Sequence, residues 1–144
     1  MITKIYNKKK LYALIVKNRY RNKKGVSFFS SNDLPQQFGY INQNKNHIIY
    51  QHKHNKRSTK ISITSEVLII LNGILRVDFY DLKKKYLISK ILKKGEIIFL
   101  YNGSHGFKVI KNVEMIEVKQ GPFNKKTDKI KFLPVSEDKI KIKK

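Results

Sequence analysis

Three of the four histidines in this chain fall in two short clusters. The first is Gln51-His52-Lys53-His54. In an extended strand, residues i and i+2 point to the same face. The spacing therefore predicts His52 and His54 side by side, a pair of imidazoles suited to gripping a transition metal. The second cluster is Asn102-Gly103-Ser104-His105-Gly106-Phe107, where flanking glycines predict a tight backbone path at His105. Between the clusters, Glu66 opens the apolar run Val67 to Leu71. The chain has no cysteine, which excludes disulfides, thiolate metal sites and cysteine nucleophiles. A metal here must be held by imidazole and carboxylate. His47 lies in a polar stretch and reads as a solvated loop residue.

The elements that would position these residues read as strands. Ile48–Tyr50, Lys60–Ile63, Val67–Leu71, Ile74–Tyr80, Tyr86–Leu92, Ile97–Tyr101, Phe107–Ile110 and Met115–Val118 are short, closely spaced, and rich in β-branched and aromatic residues. No helical periodicity runs through this region, and the pattern predicts an all-β sandwich or barrel. Asn72-Gly73 separates two apolar runs and is the preferred pair for a two-residue type I′ hairpin. Such a turn would set Leu71 opposite Ile74 and Glu66 opposite Phe79. One face would then carry Glu66, Leu68, Ile70, Leu75, Val77 and Phe79. A carboxylate at the end of an apolar face is costly unless neutralised, by a metal or by a buried Arg or Lys. Strand parity adds Tyr50 beside His52 and His54, Phe107 beside His105, and Gln120 beside Ile116 and Val118 as candidate pocket-wall residues.

At 144 residues the chain has the size of one domain. Residues 1–24 read as an N-terminal appendage, and residues 25–144 as a single barrel domain with a charged C-terminal tail. A short strand is expected around Ile130 to Leu133. No stretch approaches the roughly 20 apolar residues of a membrane helix, and no signal-peptide pattern opens the chain, so the expectation is a cytoplasmic protein with no membrane contact. The formal net charge is +22, carried by 28 Lys against 4 Arg. Lys, Ile and Asn, all with AT-rich codons, make up 60 of the 144 residues. Dispersed lysine fits a solvated surface better than a specific nucleic-acid interface, which leans on the planar fork of Arg.

The order and spacing of these residues resemble the cupin superfamily. His52-x-His54 is followed by Glu66, and Gly73 comes after six further residues, as in the first cupin motif. Gly95 opens a second stretch in which Tyr101-Asn102-Gly103 occupies the Pro-x-Gly slot and His105 follows. The resemblance covers about residues 35 to 123. The stretch Glu117-x-Lys119-Gln120-Gly121-Pro122-Phe123 looks like small bacterial cupins that are loosely associated with surface-sugar gene neighbourhoods.

The resemblance implies a double-stranded β-helix, or jelly-roll, barrel. It also implies one divalent transition metal (Fe, Mn, Zn or Ni) held by His52, His54, Glu66 and His105. Two open coordination positions would suit chelation by neighbouring oxygens. The expected function is that of a metal-dependent small-molecule protein. It would be an isomerase or epimerase of a sugar derivative, with a non-catalytic metal- and sugar-binding module or an iron-dependent oxygenase as alternatives. The expected ligand is a small anion such as a nucleotide-linked sugar. The outward apolar residues Val67, Ile69 and Leu71 are compatible with a homodimer.

Overall fold

A computed structural model describes residues 1–143. Eight strands run in the order β1 (Ile2–Asn7), β2 (Lys10–Val16), β3 (Gly25–Phe28), β4 (Gly39–Asn42), β5 (Glu66–Tyr80), β6 (Tyr86–Lys93), β7 (Ile97–Leu100) and β8 (Ser104–Lys119). A single 3-10 turn, Glu137–Lys139, follows. The protein is all-β, with a strongly curled antiparallel sheet that forms a half-barrel. Among the described residues no helix is long and apolar enough to cross a membrane.

The organising element is β5. Its first half pairs with β7, from Glu66 opposite Leu100 to Ile69 opposite Ile97. Its second half pairs with β6, from Ile74 opposite Lys93 to Tyr80 opposite Tyr86. β8 runs along the whole of β5, from Lys119 opposite Glu66 to Ser104 opposite Tyr80. Between β6 and β7 the chain turns at Gly95, and bonds from Ile70 N to Glu96 O (3.0 Å) and from Gly95 N to Ile70 O (2.8 Å) stitch that turn to β5.

Asn72 and Gly73 lie inside β5 and make no hairpin. The ladder to β8 shifts register three times between Ile70 and Leu75. Gly73 takes φ 84°, and a Cβ there would stand 1.8 Å from the Asn112 carbonyl oxygen. Only glycine allows this close approach, so the strand bends here. The irregularity also switches which alternate residues face inward. Glu66, Leu68 and Ile70 are buried on one side of it, and Leu75, Val77 and Phe79 on the other. These are the residues a hairpin would have gathered; a bulged bend gathers them instead.

Residues 1–24, expected as an appendage, supply β1 and β2. β2 pairs with β7 from Ala13 opposite Leu100 to Val16 opposite Ile97. Ile5, Tyr12, Ala13 and Ile15 sit in the core cluster with Leu68, Ile70, Leu75, Val77, Phe79, Leu92, Ile98 and Leu100. The run Leu11 to Val16 is apolar on both faces because both faces are covered. β3 and β4 form a separate two-stranded sheet. Its neighbour Phe38 packs on Phe99 with ring centroids 5.8 Å apart.

The expected strands at 48–50, 60–63 and 130–133 are not formed. The last of these belongs to a tail that folds back over the sheet. Tyr80 accepts a hydrogen bond from Val135 N at 3.1 Å and packs edge-on against Phe132 at 5.1 Å. Arg76 donates to both Asp78 and Glu137, at 2.7 to 3.0 Å. Ser89 donates to Asp78 as well. Two charged residues thus lie buried on the outer face of β5, each with an opposite charge to answer it.

Candidate functional site

Glu66 begins β5, while His105 pairs with Phe79 near its far end. Fully extended, residues 66 and 79 would stand roughly 40 Å apart. The bend at Gly73 and the curl of the sheet close that distance. His105 Nε2 lies 3.0 Å from Glu66 Oε2, with the glutamate side chain 6% exposed and the histidine 25%. The two residues are side by side only because the sheet wraps around.

Of the two glycines that flank His105, Gly103 makes the tight path expected, whereas a Cβ at Gly106 would meet open space. Gly103 takes φ 74°, and a Cβ there would fall 2.1 Å from the Tyr12 ring. Tyr101 N donates to Tyr12 O at 2.9 Å, which ties this turn to β2. The His105 ring packs at 5.1 Å from the Phe107 ring.

Proximity to His105 holds the Glu66 carboxyl below the usual glutamate range, against the opposing effect of burial, with Lys129 and Lys119 adding to it. Glu66 Oε2 is buried and lacks an aligned hydrogen-bond donor, so its contact with His105 is an ion pair in distance only. Such an oxygen is one a cation or a ligand donor would satisfy.

Both residues line a cavity of about 450 Å³. Thr64, Tyr80 and Ser104 share its wall, and the tail lines it with Asp128, Lys129, Phe132 and Pro134. That volume is in the range of small-molecule sites, and the mixture of aromatic and polar groups suits a polar ring. Asp128 is engaged by Lys119 at 2.7 Å, and the ammonium of Lys119 is favoured by that contact.

The structure treats the other candidates differently. His52 and His54 adjoin each other, with ring centroids 5.3 Å apart. They lie on an exposed segment without regular structure, residues 44–64, rather than on a strand. His52 Nδ1 contacts the Tyr50 carbonyl at 2.8 Å, and Tyr50 itself is exposed. Among the described residues no group of three or more His, Asp or Glu side chains is gathered as a metal ion would need. Of the four predicted ligands, Glu66 and His105 are together and His52 and His54 stand elsewhere. The first pair fits a cation's donor chemistry; the full set is not assembled.

Ile116 and Val118, the face on which Gln120 was expected to point inward, are exposed; Gln120 is half-buried and acts as a clamp. Its side chain accepts from Ser65 N and donates to Ser65 Oγ, both at 2.8 Å, and donates to Gln36 at 3.2 Å. This fixes the chain immediately before Glu66. Phe107 is partly exposed beside His105. Neither Tyr50, Phe107 nor Gln120 lines the cavity. The walls that sequence reasoning missed, Tyr80 and the tail residues Asp128 to Pro134, carry one signal in the sequence. Phe132-Leu133-Pro134-Val135 is an apolar cluster inside a charged tail.

No family model, no curated protein and no solved structure matches this chain.

Proposed function

We propose that this chain is a metal-dependent small-molecule protein of cupin type. Its site is the cavity beside Glu66 and His105, and the half-barrel is the larger part of a jelly roll. The observation that supports this best is the buried, incompletely satisfied Glu66 carboxylate, held against His105 on the wall of a cavity of ligand size. A divalent ion would take Glu66 and His105 as ligands, and His52 and His54 would have to swing in with residues 44–64 to complete the set; when bound it would polarise a ligand oxygen. Lys129 and Lys131 on the cavity wall favour an anion, and Tyr80 and Phe132 offer apolar faces to a ring. A nucleotide-linked or phosphorylated sugar fits that chemistry, with isomerisation or epimerisation as the reaction class.

Elemental analysis of purified protein tests the metal. About one transition metal per chain is expected, lost in Glu66→Gln and in the double variant His52→Ala with His54→Ala. Unchanged metal content in the double variant removes those two residues from the site. Thermal-shift screening tests the ligand class: sugar nucleotides and sugar phosphates should raise the melting temperature. A response to keto acids or catechols instead favours an iron-dependent oxygenase. A shift by sugar nucleotides without turnover favours a binding module.

A further inference from the structure

β8 is 16 residues long and has one strand neighbour, β5, among the described residues. Its other edge presents a row of unpaired backbone groups. Apolar side chains are exposed on both of its faces: Phe107, Val109 and Met115 on the concave face, Ile110, Ile116 and Val118 beside them. Val109 is 59% exposed and Ile116 47%. A long apolar edge of this kind is a template for another strand unless something covers it.

We propose that the occupant is a second copy of the same strand, antiparallel to it about a two-fold axis through Lys111. The charge pattern of β8 is complementary to itself in this register. Lys108 falls opposite Glu114 on the outer face, and Phe107 opposite Met115 and Val109 opposite Val113 on the concave face. The faces agree with the pairing to β5. Phe107, Val109 and Met115 stand opposite the buried Val77, Leu75 and Ile70, whereas Lys108 stands opposite Arg76 and Glu114 opposite Asn72. A shift of one residue would set side chains of opposite faces against each other. A shift of two sets Phe107 against Glu117, or Val109 against Lys111. Lys108, which also holds Glu137 at 2.9 Å, reaches both carboxylates from the outer face. Lys111, at the axis, stands opposite Ile74 between two register shifts of the ladder, which turn it to the outer face with Lys108, so the two Lys111 side chains splay into water.

The same register sets Glu117 of the partner subunit directly across from His105. Opposite Cβ atoms in an antiparallel pair lie about 5 Å apart. The dimer therefore adds a second carboxylate beside the Glu66–His105 pair, once in each half. The contact stands without the functional reading above; only the role of that carboxylate rests on it.

The chain has no cysteine of its own, which makes the register directly testable. Wild-type protein should sediment as a dimer without ligand or metal. Lys108→Cys with Glu114→Cys should give a covalent dimer on mild oxidation, while Lys108→Cys with Glu117→Cys, out of register, should not. Glu114→Lys should weaken the dimer about tenfold, since two opposed pairs each turn from attraction to repulsion. Lys108→Glu combined with Glu114→Lys should restore it. Far-UV circular dichroism of each variant confirms that the sheet is intact. A monomer at concentrations of tens of micromolar, or equal crosslinking by both cysteine pairs, overturns the proposal. If the dimer forms and no ligand binds, the functional reading fails while the interface stands.

Discussion

Two histidine regions of this molecule look alike in sequence and differ in structure. His105 sits on β8, whose residues are fixed by a full ladder to β5, and it meets Glu66 at 3.0 Å. His52 and His54 sit on residues 44–64, which join no strand ladder and lie exposed. Both regions have the local features that suggested a ligand. What separates them is long-range pairing: a short motif fixes the relation of its own residues, and the ladder decides what they face. In the first region the curl of one long strand brings His105 to Glu66, thirteen positions along β5 from Phe79, with which His105 pairs. The second has no partner strand to carry it anywhere.

The sharpest way to break the better-ordered region is at Gly73. Gly73→Val should destabilise the fold by about 3 kcal/mol or more, because a side chain collides with the Asn112 carbonyl and requires φ 84°. Urea unfolding should show a large fall in midpoint, and the core at both halves of β5 should lose protection from hydrogen exchange. A neutral result would mean that the curl does not depend on this bend.

Next in size is His105→Ala. It leaves a buried carboxylate without its partner, which typically costs about 1–3 kcal/mol. Glu66→Gln with His105→Ala should recover part of that loss, because the pair is removed together. A loss in the double variant equal to the sum of the two single losses would show that the two residues do not interact.

The tail offers a smaller, pH-dependent effect. Glu137 is held down to about 2 by Arg76 and then by Lys108. A carboxylate whose folded value is depressed stabilises above its ordinary value of 4.5 and loses that contribution as pH falls toward the folded value. The stability difference between wild type and Glu137→Gln should be present at pH 6, shrink below about pH 4.5 and vanish near pH 2. Exposure and salt keep it modest. A difference that persists at pH 2 would mean that Glu137 acts through packing.

The smallest effect belongs to the other histidine region. His52→Ala with His54→Ala should change the stability of metal-free protein by less than about 0.5 kcal/mol, as exposed substitutions do. Trypsin should cut first at Lys53, Lys56, Arg57 and Lys60, before any site in β5 or β8. Resistance of this segment to trypsin would show that it is covered in solution, and the contrast between the two regions would narrow.

The amino-acid sequence by itself determined the all-β class, the inward set Glu66, Leu68, Ile70, Leu75, Val77 and Phe79, and the tight turn before His105. Each of these rests on side-chain alternation or on glycine, which act over a few residues. Leu11 to Val16 was legible as an apolar segment, but not as a strand of the main sheet, since nothing local names β7 as its neighbour. Asn72-Gly73 read as a hairpin in the sequence and is a bend inside one strand in the structure. Whether it became a hairpin or a bend depended on who pairs with the residues around it, and β8 runs along both halves of β5 at once. Tertiary structure alone decided that Glu66 and His105 meet and that the tail lines their cavity. Those outcomes follow from backbone ladders between residues far apart in sequence, where the geometry of one bend is multiplied along a whole strand.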